Sequence, residues 1–507
     1  QSTHTQALWH NLPLTSYASG ALDLTLVPAV LLQPASFKSG TAGNSQASNS
    51  LSGSYQLALS HLDTGYTTQL SGNSLGYRSL SVRGSGALLK GSYTGYVRRY
   101  QSANNYPYQL GNVQGRVEGM DFSGTDFVQE FSFKDGLIHH DFGWWLTESF
   151  KNNSGSVLVS RVPSQLHDRT ARLFYSLQYL QHTLSVGFNN EWQNFVDQEF
   201  NLNDTNTYRH GSTSYRWGSK KWLLQWDQQF LLAGGTSRSA QLYVPSWTVT
   251  RRWKRGYTKL LMLHQRQWHW GASQHVEYKK GGRTAYAQLG TYVRLPTLND
   301  LYWQPGGNPS LKAERSYGAR LGYSKTYATS AITSYIEPML YENLIQWTPN
   351  SSGIWSPQNV KEVVAATAFV QVRKEIGALE NTLEAGYYFN RILRSALPND
   401  ASVGKRTVYT PLYKAVLTSE WNLRRAGALQ WRTTLLGSRY TSRDNSSTSQ
   451  LPAQLQTDLL WSWISKNHQV TFLAGAKNLT NSNVQYFPYF PMPGRHFTME
   501  LSLSTKP

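Results

Sequence analysis

Residues 379–390 read Leu379-Glu380-Asn381-Thr382-Leu383-Glu384-Ala385-Gly386-Tyr387-Tyr388-Phe389-Asn390. Leu383, Ala385, Tyr387 and Phe389 fall on one side of an extended chain, and Glu380, Thr382, Glu384 and Asn390 on the other, because successive side chains of a strand point to opposite faces. The same two-residue beat recurs at Leu184, Val186 and Phe188, at Ala285, Ala287, Leu289 and Val293, and at Phe497, Met499, Leu501 and Leu503. Sustained 3.6-residue periodicity does not appear. About 22 such segments run from 62–73 to 495–504, and they are longer than the ~5–6 residues of a typical soluble strand. Long alternating strands suit a barrel in a bilayer, where lipid is the apolar partner of the outer face and closure leaves no unpaired edge. The expected fold is all-β: a transmembrane antiparallel β-barrel of about 22 strands.

Composition narrows the remaining classes. Across 507 residues, 39% are hydrophobic and only 15% charged. No run of ~20 apolar residues exists, so membrane-spanning helices are excluded; the best stretch, Thr25 to Phe37, is short and broken by Pro28 and Pro34. The absence of cysteine removes disulfides, thiol nucleophiles and thiolate metal sites. The chain opens on Gln1 rather than Met, which reads as an exported mature chain or a trimmed one. A net charge of +19 is compatible with nucleic acid, anionic lipid or an acidic ligand. No nucleic-acid-binding motif accompanies the charge, so no nucleic-acid partner is expected.

The cations cluster where the segments meet. Tight turns follow even-numbered segments: Lys134-Asp135-Gly136, Ser219-Lys220-Lys221, Arg424-Arg425-Ala426-Gly427 and Ser465-Lys466-Asn467-His468. Longer polar loops follow odd-numbered ones, near 197–206, 296–311, 346–358, 442–451 and 479–494. Short turns on one rim and long loops on the other is the asymmetry of an outer-membrane barrel whose turns face the periplasm. Arg251, Arg252, Lys254 and Arg255 add to the turn rim, either as phospholipid headgroup contacts or as solvated turn residues. Trp144, Trp145, Trp222, Trp226, Trp268 and Trp270 read either as interfacial girdles or as plain strand formers.

Residues 292–316, running Tyr292-Val293-Arg294-Leu295-Pro296-Thr297-Leu298-Asn299-Asp300-Leu301-Tyr302-Trp303 and on through Gly306-Gly307-Asn308-Pro309 to Glu314-Arg315-Ser316, resemble the barrel signature of TonB-dependent outer-membrane receptors. Within that family the likeness is to the cobalamin-receptor-like branch. Lys477-Asn478-Leu479-Thr480-Asn481, then Pro491-Met492-Pro493-Gly494-Arg495 and a last strand, are similar to the family's C-terminal end. The resemblance implies a 22-stranded barrel around a plug, taking up a scarce chelate or cofactor, cobalamin- or siderophore-like, with energy from an inner-membrane TonB complex. It also implies an integral place in a Gram-negative outer membrane, with outer-membrane lipid, lipopolysaccharide and possible surface lipoproteins or other outer-membrane subunits as neighbours.

Residues 1–59 resemble only the last third of such a plug and read as a plug remnant, with residues 60–507 as the barrel. Trp9-His10-Asn11-Leu12-Pro13-Leu14 is similar to one plug segment and Ala21 to Pro28 to the strand after it. The stretch Ser39 to Asn49 departs from the family's Gly-rich turn, and Leu503-Ser504-Thr505-Lys506-Pro507 lacks the usual terminal aromatic. An alternative expectation is a non-transporting barrel that serves as a scaffold in a multi-protein outer-membrane complex.

Enzymatic signatures are missing. Gly84 to Ser92 resembles a phosphate loop only superficially, since Leu89 precedes Lys90 and no helix is expected after it. His139, His140 and Asp141 alternate faces on a strand and do not converge on a metal. There is no His-Glu-x-x-His pair. A carrier rather than an enzyme is expected, with no catalytic residue, cofactor or metal site. The ligand-binding candidates are Asn299, Asp300, Tyr302, Trp303 and Asn308, on the outer rim by the strand order. Amphipathic aromatics beside Asn and Asp suit a polar, partly hydrophobic ligand, while Pro305 to Pro309 also reads as turn chemistry.

Overall fold

A computed structural model describes residues 5–23, 26–32, 36–39, 53–59, 64–88, 90–158, 162–236, 239–303, 306–349, 355–395 and 399–505. The segment 40–49 and the final Lys506 and Pro507 lie outside the described residues. Twenty-two antiparallel strands close into a barrel in strict chain order, the last, His496–Ser504, pairing with the first, Gly65–Asn73. Closure satisfies every edge, as a hydrocarbon environment demands.

Register puts the apolar beat on the outside. Val372, Leu383 and Leu417 lie in one cross-strand row and all face outward. Leu184, Val186, Phe188, Leu289, Phe497, Met499 and Leu503 are likewise exposed. So wide an apolar surface would drive aggregation in water and is the expected lipid contact of a barrel. Leu289, 58% exposed near the middle of Arg283–Arg294, is the position to probe. Leu289→Arg is expected to lower the stability of the barrel in phospholipid vesicles by about 2–4 kcal/mol. An unchanged urea midpoint in vesicles would show that this face does not meet lipid.

The two rims differ as expected. One carries short turns such as Asp135 to Ile138, Trp253 to Gly256, Lys280 to Arg283 and Ile376 to Leu379. The other carries the long connections 103–121, 295–313, 396–412, 437–453 and 478–495. Two expected loops are largely strand: His182–Asp197 gives way to Leu202–Gly218 within a few residues, and Ser330–Pro349 and Trp355–Ile376 extend into 346–358. The polar run that suggested a loop at 203–206 is strand with Asp204 and Asn206 on its buried face, where Asn206 Nδ2 donates to Asp204 (2.8 Å) and Thr236 Oγ1 donates to the same carboxylate (2.6 Å). Conversely, the segment expected as strand from 405 pairs only from Tyr413 onward, after Pro411, which has no N–H for the ladder.

Four of the six tryptophans read as girdle candidates, Trp222, Trp226, Trp268 and Trp270, do face outward. Trp145 does not: it points into the lumen and is 2% exposed. Val293 also leaves the outer face and packs with Leu263, Leu295 and Ala313.

Inside, the N-terminal residues form a four-stranded sheet built around the parallel pair Thr5–Trp9 and Gly53–Leu57. Thr5–Trp9 turns back to Leu12–Pro13 through His10 and Asn11, both at positive φ (44° and 74°), the geometry of a two-residue hairpin loop. This sheet packs on the barrel wall. Ala7, Trp9, Leu12, Leu31 and Leu57 form one core with Tyr96, Val128, Trp145 and Phe174, each from a different neighbouring barrel strand. The Trp9 indole meets Phe174 and Trp145 edge-on, centroids 5.0 and 5.8 Å apart, and donates to Glu130 Oε1 at 2.8 Å. Gly187 keeps the wall close here, since a Cβ would come 2.5 Å from Leu12 Cδ2. Behind the aromatics, Arg98 Nε donates to the buried Asp126 at 2.8 Å, and Trp145 Nε1 and Thr147 Oγ1 donate to the same carboxylate at 3.3 Å.

Candidate ligand-capture site

The connection 295–313 leaves the long-loop rim and folds inward over the N-terminal sheet. Its local order begins with a capping box. Thr297 Oγ1 accepts from Asp300 N (3.2 Å) and Asp300 Oδ2 accepts from Thr297 N (2.9 Å), satisfying donors at the start of the short helix Leu298–Tyr302. The helix then seats on the turn at residues 16–20, which follows the sheet's hairpin. Asn299 N donates to Ala18 O at 2.8 Å, and Leu298 packs with Ala18, Tyr208 and Ala233.

A buried ionic network anchors this loop to the wall. Arg294 Nε donates to Glu314, and Arg294 Nη1 lies 3.8 Å from Asp300 Oδ2. Trp347 Nε1 donates to Asp300 Oδ1 at 2.9 Å, and Ile345 N donates to Glu314 Oε1 at 2.6 Å. Ile345 is aimed by an irregularity in the ladder between Tyr341 and Ile345, where Asn343 has φ 56°. Such bulges bend a strand and re-aim its groups.

Each residue singled out in the sequence has a definite place here. Asp300 is buried and occupied by Thr297, Trp347 and Arg294. Asn308 N donates to Asp300 O (2.8 Å), its Nδ2 donates to Pro357 O (3.1 Å), and its Oδ1 accepts from Ser310 N (3.0 Å). Asn299 Oδ1 is buried without a hydrogen-bond partner among the described residues. Tyr302 and Trp303 are half-buried, and the Tyr302 hydroxyl accepts from Arg266 Nη2 at 2.9 Å. All five therefore belong to one folded loop.

Sequence reasoning missed the groups that meet them from elsewhere. Arg266 and Trp347 sit on the long-loop rim of other strands, and only barrel closure brings them here. Beneath the loop is a cavity of about 120 Å³ lined by Tyr17, His210, Gln229, Gln265, Arg294 and Leu298 among others. Tyr17 stacks on His210 with centroids 5.1 Å apart, and its hydroxyl accepts from Asn189 Nδ2 at 3.0 Å. Burial pushes the Tyr17 phenol well above its ordinary value, so it remains neutral. That volume holds only a few waters at ~30 Å³ each. Above it, Tyr302 and Trp303 retain partial exposure. Among the described residues, no three of His, Asp and Glu gather as a metal set.

Solved receptor and transporter structures share this fold. The ferric enterobactin receptor of Pseudomonas aeruginosa superposes with a TM-score of 0.77 at 15% identity, covering 99% of this chain and 90% of that one. The FrpB iron transporter of Neisseria meningitidis gives 0.79 at 10% identity, covering 99% and 92%. The chain has the TonB-dependent receptor fold. Two curated relatives named vitamin B12 transporter BtuB match parts of the sequence. That of Vibrio vulnificus is 31% identical over 102 residues and that of Photobacterium profundum 42% over 82 residues. The matched stretches span 16% and 13% of those relatives' own length. No protein-family model matches the sequence.

Proposed function

We propose that the chain is a receptor that takes up a scarce chelate of the cobalamin type across the outer membrane, with residues 1–59 acting as the plug part and residues 60–507 as the barrel. The observation that carries this reading is the seating of loop 295–313 on the turn at Ala18, which follows the hairpin of a sheet held inside a closed barrel. A ligand pressing on Tyr302 and Trp303 thereby acts on the N-terminal segment below through Asn299 and Ala18. The names of the two curated relatives favour a corrinoid over a ferric siderophore. Force from a TonB complex at the periplasmic side would then move the sheet, and no bond-making chemistry is required of the chain.

Binding of cyanocobalamin to the purified protein tests this. Trp303→Ala is expected to weaken binding about tenfold by removing one aromatic anchor. Asp300→Asn is expected to loosen the loop without removing a ligand contact. If cyanocobalamin does not bind while stoichiometric protein partners co-purify, the chain is a docking subunit and the uptake reading is wrong.

A further inference from the structure

Four consecutive hairpin turns of the short-turn rim, 218–222, 251–256, 277–283 and 325–330, carry Lys or Arg and one carboxylate, Glu277. Glu277 is already engaged by Lys279 at 2.9 Å. Elsewhere on this rim some turns mix signs: Lys134 adjoins Asp135, and Arg373 bridges Glu375 and Glu380 at 3.0 and 2.7 Å. The densest excess of positive charge is thus an arc, not a ring.

Within the arc the register is unusual. Lys280 lies directly opposite Arg283, and Arg283 directly opposite Lys325, so three cations stand in one cross-strand row. Like charges placed directly opposite each other destabilise a sheet. By strand alternation the row shares its face with Tyr278 and Tyr323, which are exposed on the outer, lipid-side surface. Aromatic partners continue along the arc: Arg251 lies 5.5 Å from the Trp222 ring centroid, Arg255 5.1 Å from Tyr278 and Lys325 4.0 Å from Tyr327. Tyr and Trp mark the headgroup level of a membrane, so cations just beyond them sit at the depth of the phosphates.

We propose that Lys280, Arg283 and Lys325, flanked by Arg251 and Arg255, form a binding site for the phosphate headgroup of an anionic phospholipid in the periplasmic leaflet. The outward direction of the row selects a lipid over a soluble acidic protein, which would approach from below the rim. Bound phosphate relieves the repulsion within the row and lets the cations stay against their aromatic partners.

The test compares the parent with the triple variant Lys280→Gln, Arg283→Gln, Lys325→Gln, and with a control that changes Lys90 and Lys466 to Gln on the other side of the rim. Native mass spectrometry in mild detergent with added phosphatidylglycerol is expected to show adducts on parent and control, and at least about tenfold weaker adduct formation on the triple variant. Each lost cation near a headgroup weakens such binding several-fold. Adducts equal on parent and triple variant, or no preference for phosphatidylglycerol over phosphatidylethanolamine on the parent, overturn the proposal. Urea unfolding gives an independent reading. In phosphatidylcholine vesicles the triple variant should match or exceed the parent, and adding phosphatidylglycerol should reverse that order. A parent whose midpoint ignores phosphatidylglycerol contradicts the site even if the variant folds poorly.

Discussion

Glu314→Ala is expected to release the inward loop. Glu314 is fully buried and holds Arg294 and the Ile345 amide, so its loss leaves a buried guanidinium with only the more distant Asp300 carboxylate, 3.8 Å away. Breaking one side of a buried pair typically costs about 3–5 kcal/mol, more than an exposed pair by a wide margin. The loss should appear locally, because the strands around it keep their ladder bonds. Trypsin cleavage at Lys312, within the loop, is expected to accelerate by an order of magnitude or more while the barrel keeps its heat-modifiable migration. Cleavage at the parent rate would mean that the ionic network does not hold the loop.

The second large effect is expected at Trp9. Its indole is fully buried between Trp145 and Phe174 and donates to Glu130. Truncating a buried tryptophan costs about 3–5 kcal/mol. Trp9→Ala should therefore weaken the grip of the wall on the N-terminal sheet, and planar-bilayer recordings should show frequent large openings. Trp9→Phe keeps most of the packing and loses one hydrogen bond to a carboxylate, worth about 1.5–3 kcal/mol. Openings should rank Ala above Phe above parent. Equal conductance for all three would place the sheet's anchor elsewhere.

The outer surface of this molecule was legible in its sequence because lipid imposes one simple demand on every second residue. Leu383, Tyr387 and Phe389 obey it, and so does Leu289. The lumen imposes no such rule. Trp144 and Trp145 are adjacent, and alternation puts Trp144 outside with Phe142 and Leu146 and Trp145 inside, but nothing in that strand announces that Trp145 meets Trp9. For the same reason Asp204 and Asn206 looked like a loop: polar residues on consecutive inward positions have the composition of a turn but lie on the buried face of a strand. At the candidate site, the five residues chosen do share one loop, and the Thr297–Asp300 capping box that shapes it emerges only from the structure. Arg266 and Trp347 were invisible because their proximity follows from closure of the cylinder rather than from spacing along the chain. Val293 shows the opposite limit, where a residue with the right alternation is covered once its strand rises past the membrane.

The most direct test of the account is uptake of labelled cyanocobalamin by cells in which the gene encoding this chain supplies the only corrinoid receptor. The chain has no cysteine, so the pair Ala18→Cys and Asn299→Cys can tie the loop to the N-terminal segment, at the turn after the sheet's hairpin, with a single reducible bond. Uptake is predicted to require TonB, to stop when the pair is oxidised and to return on reduction. Uptake that persists without TonB, or that is indifferent to the cross-link, would contradict the coupling of rim loop to inner sheet on which the proposed transport rests.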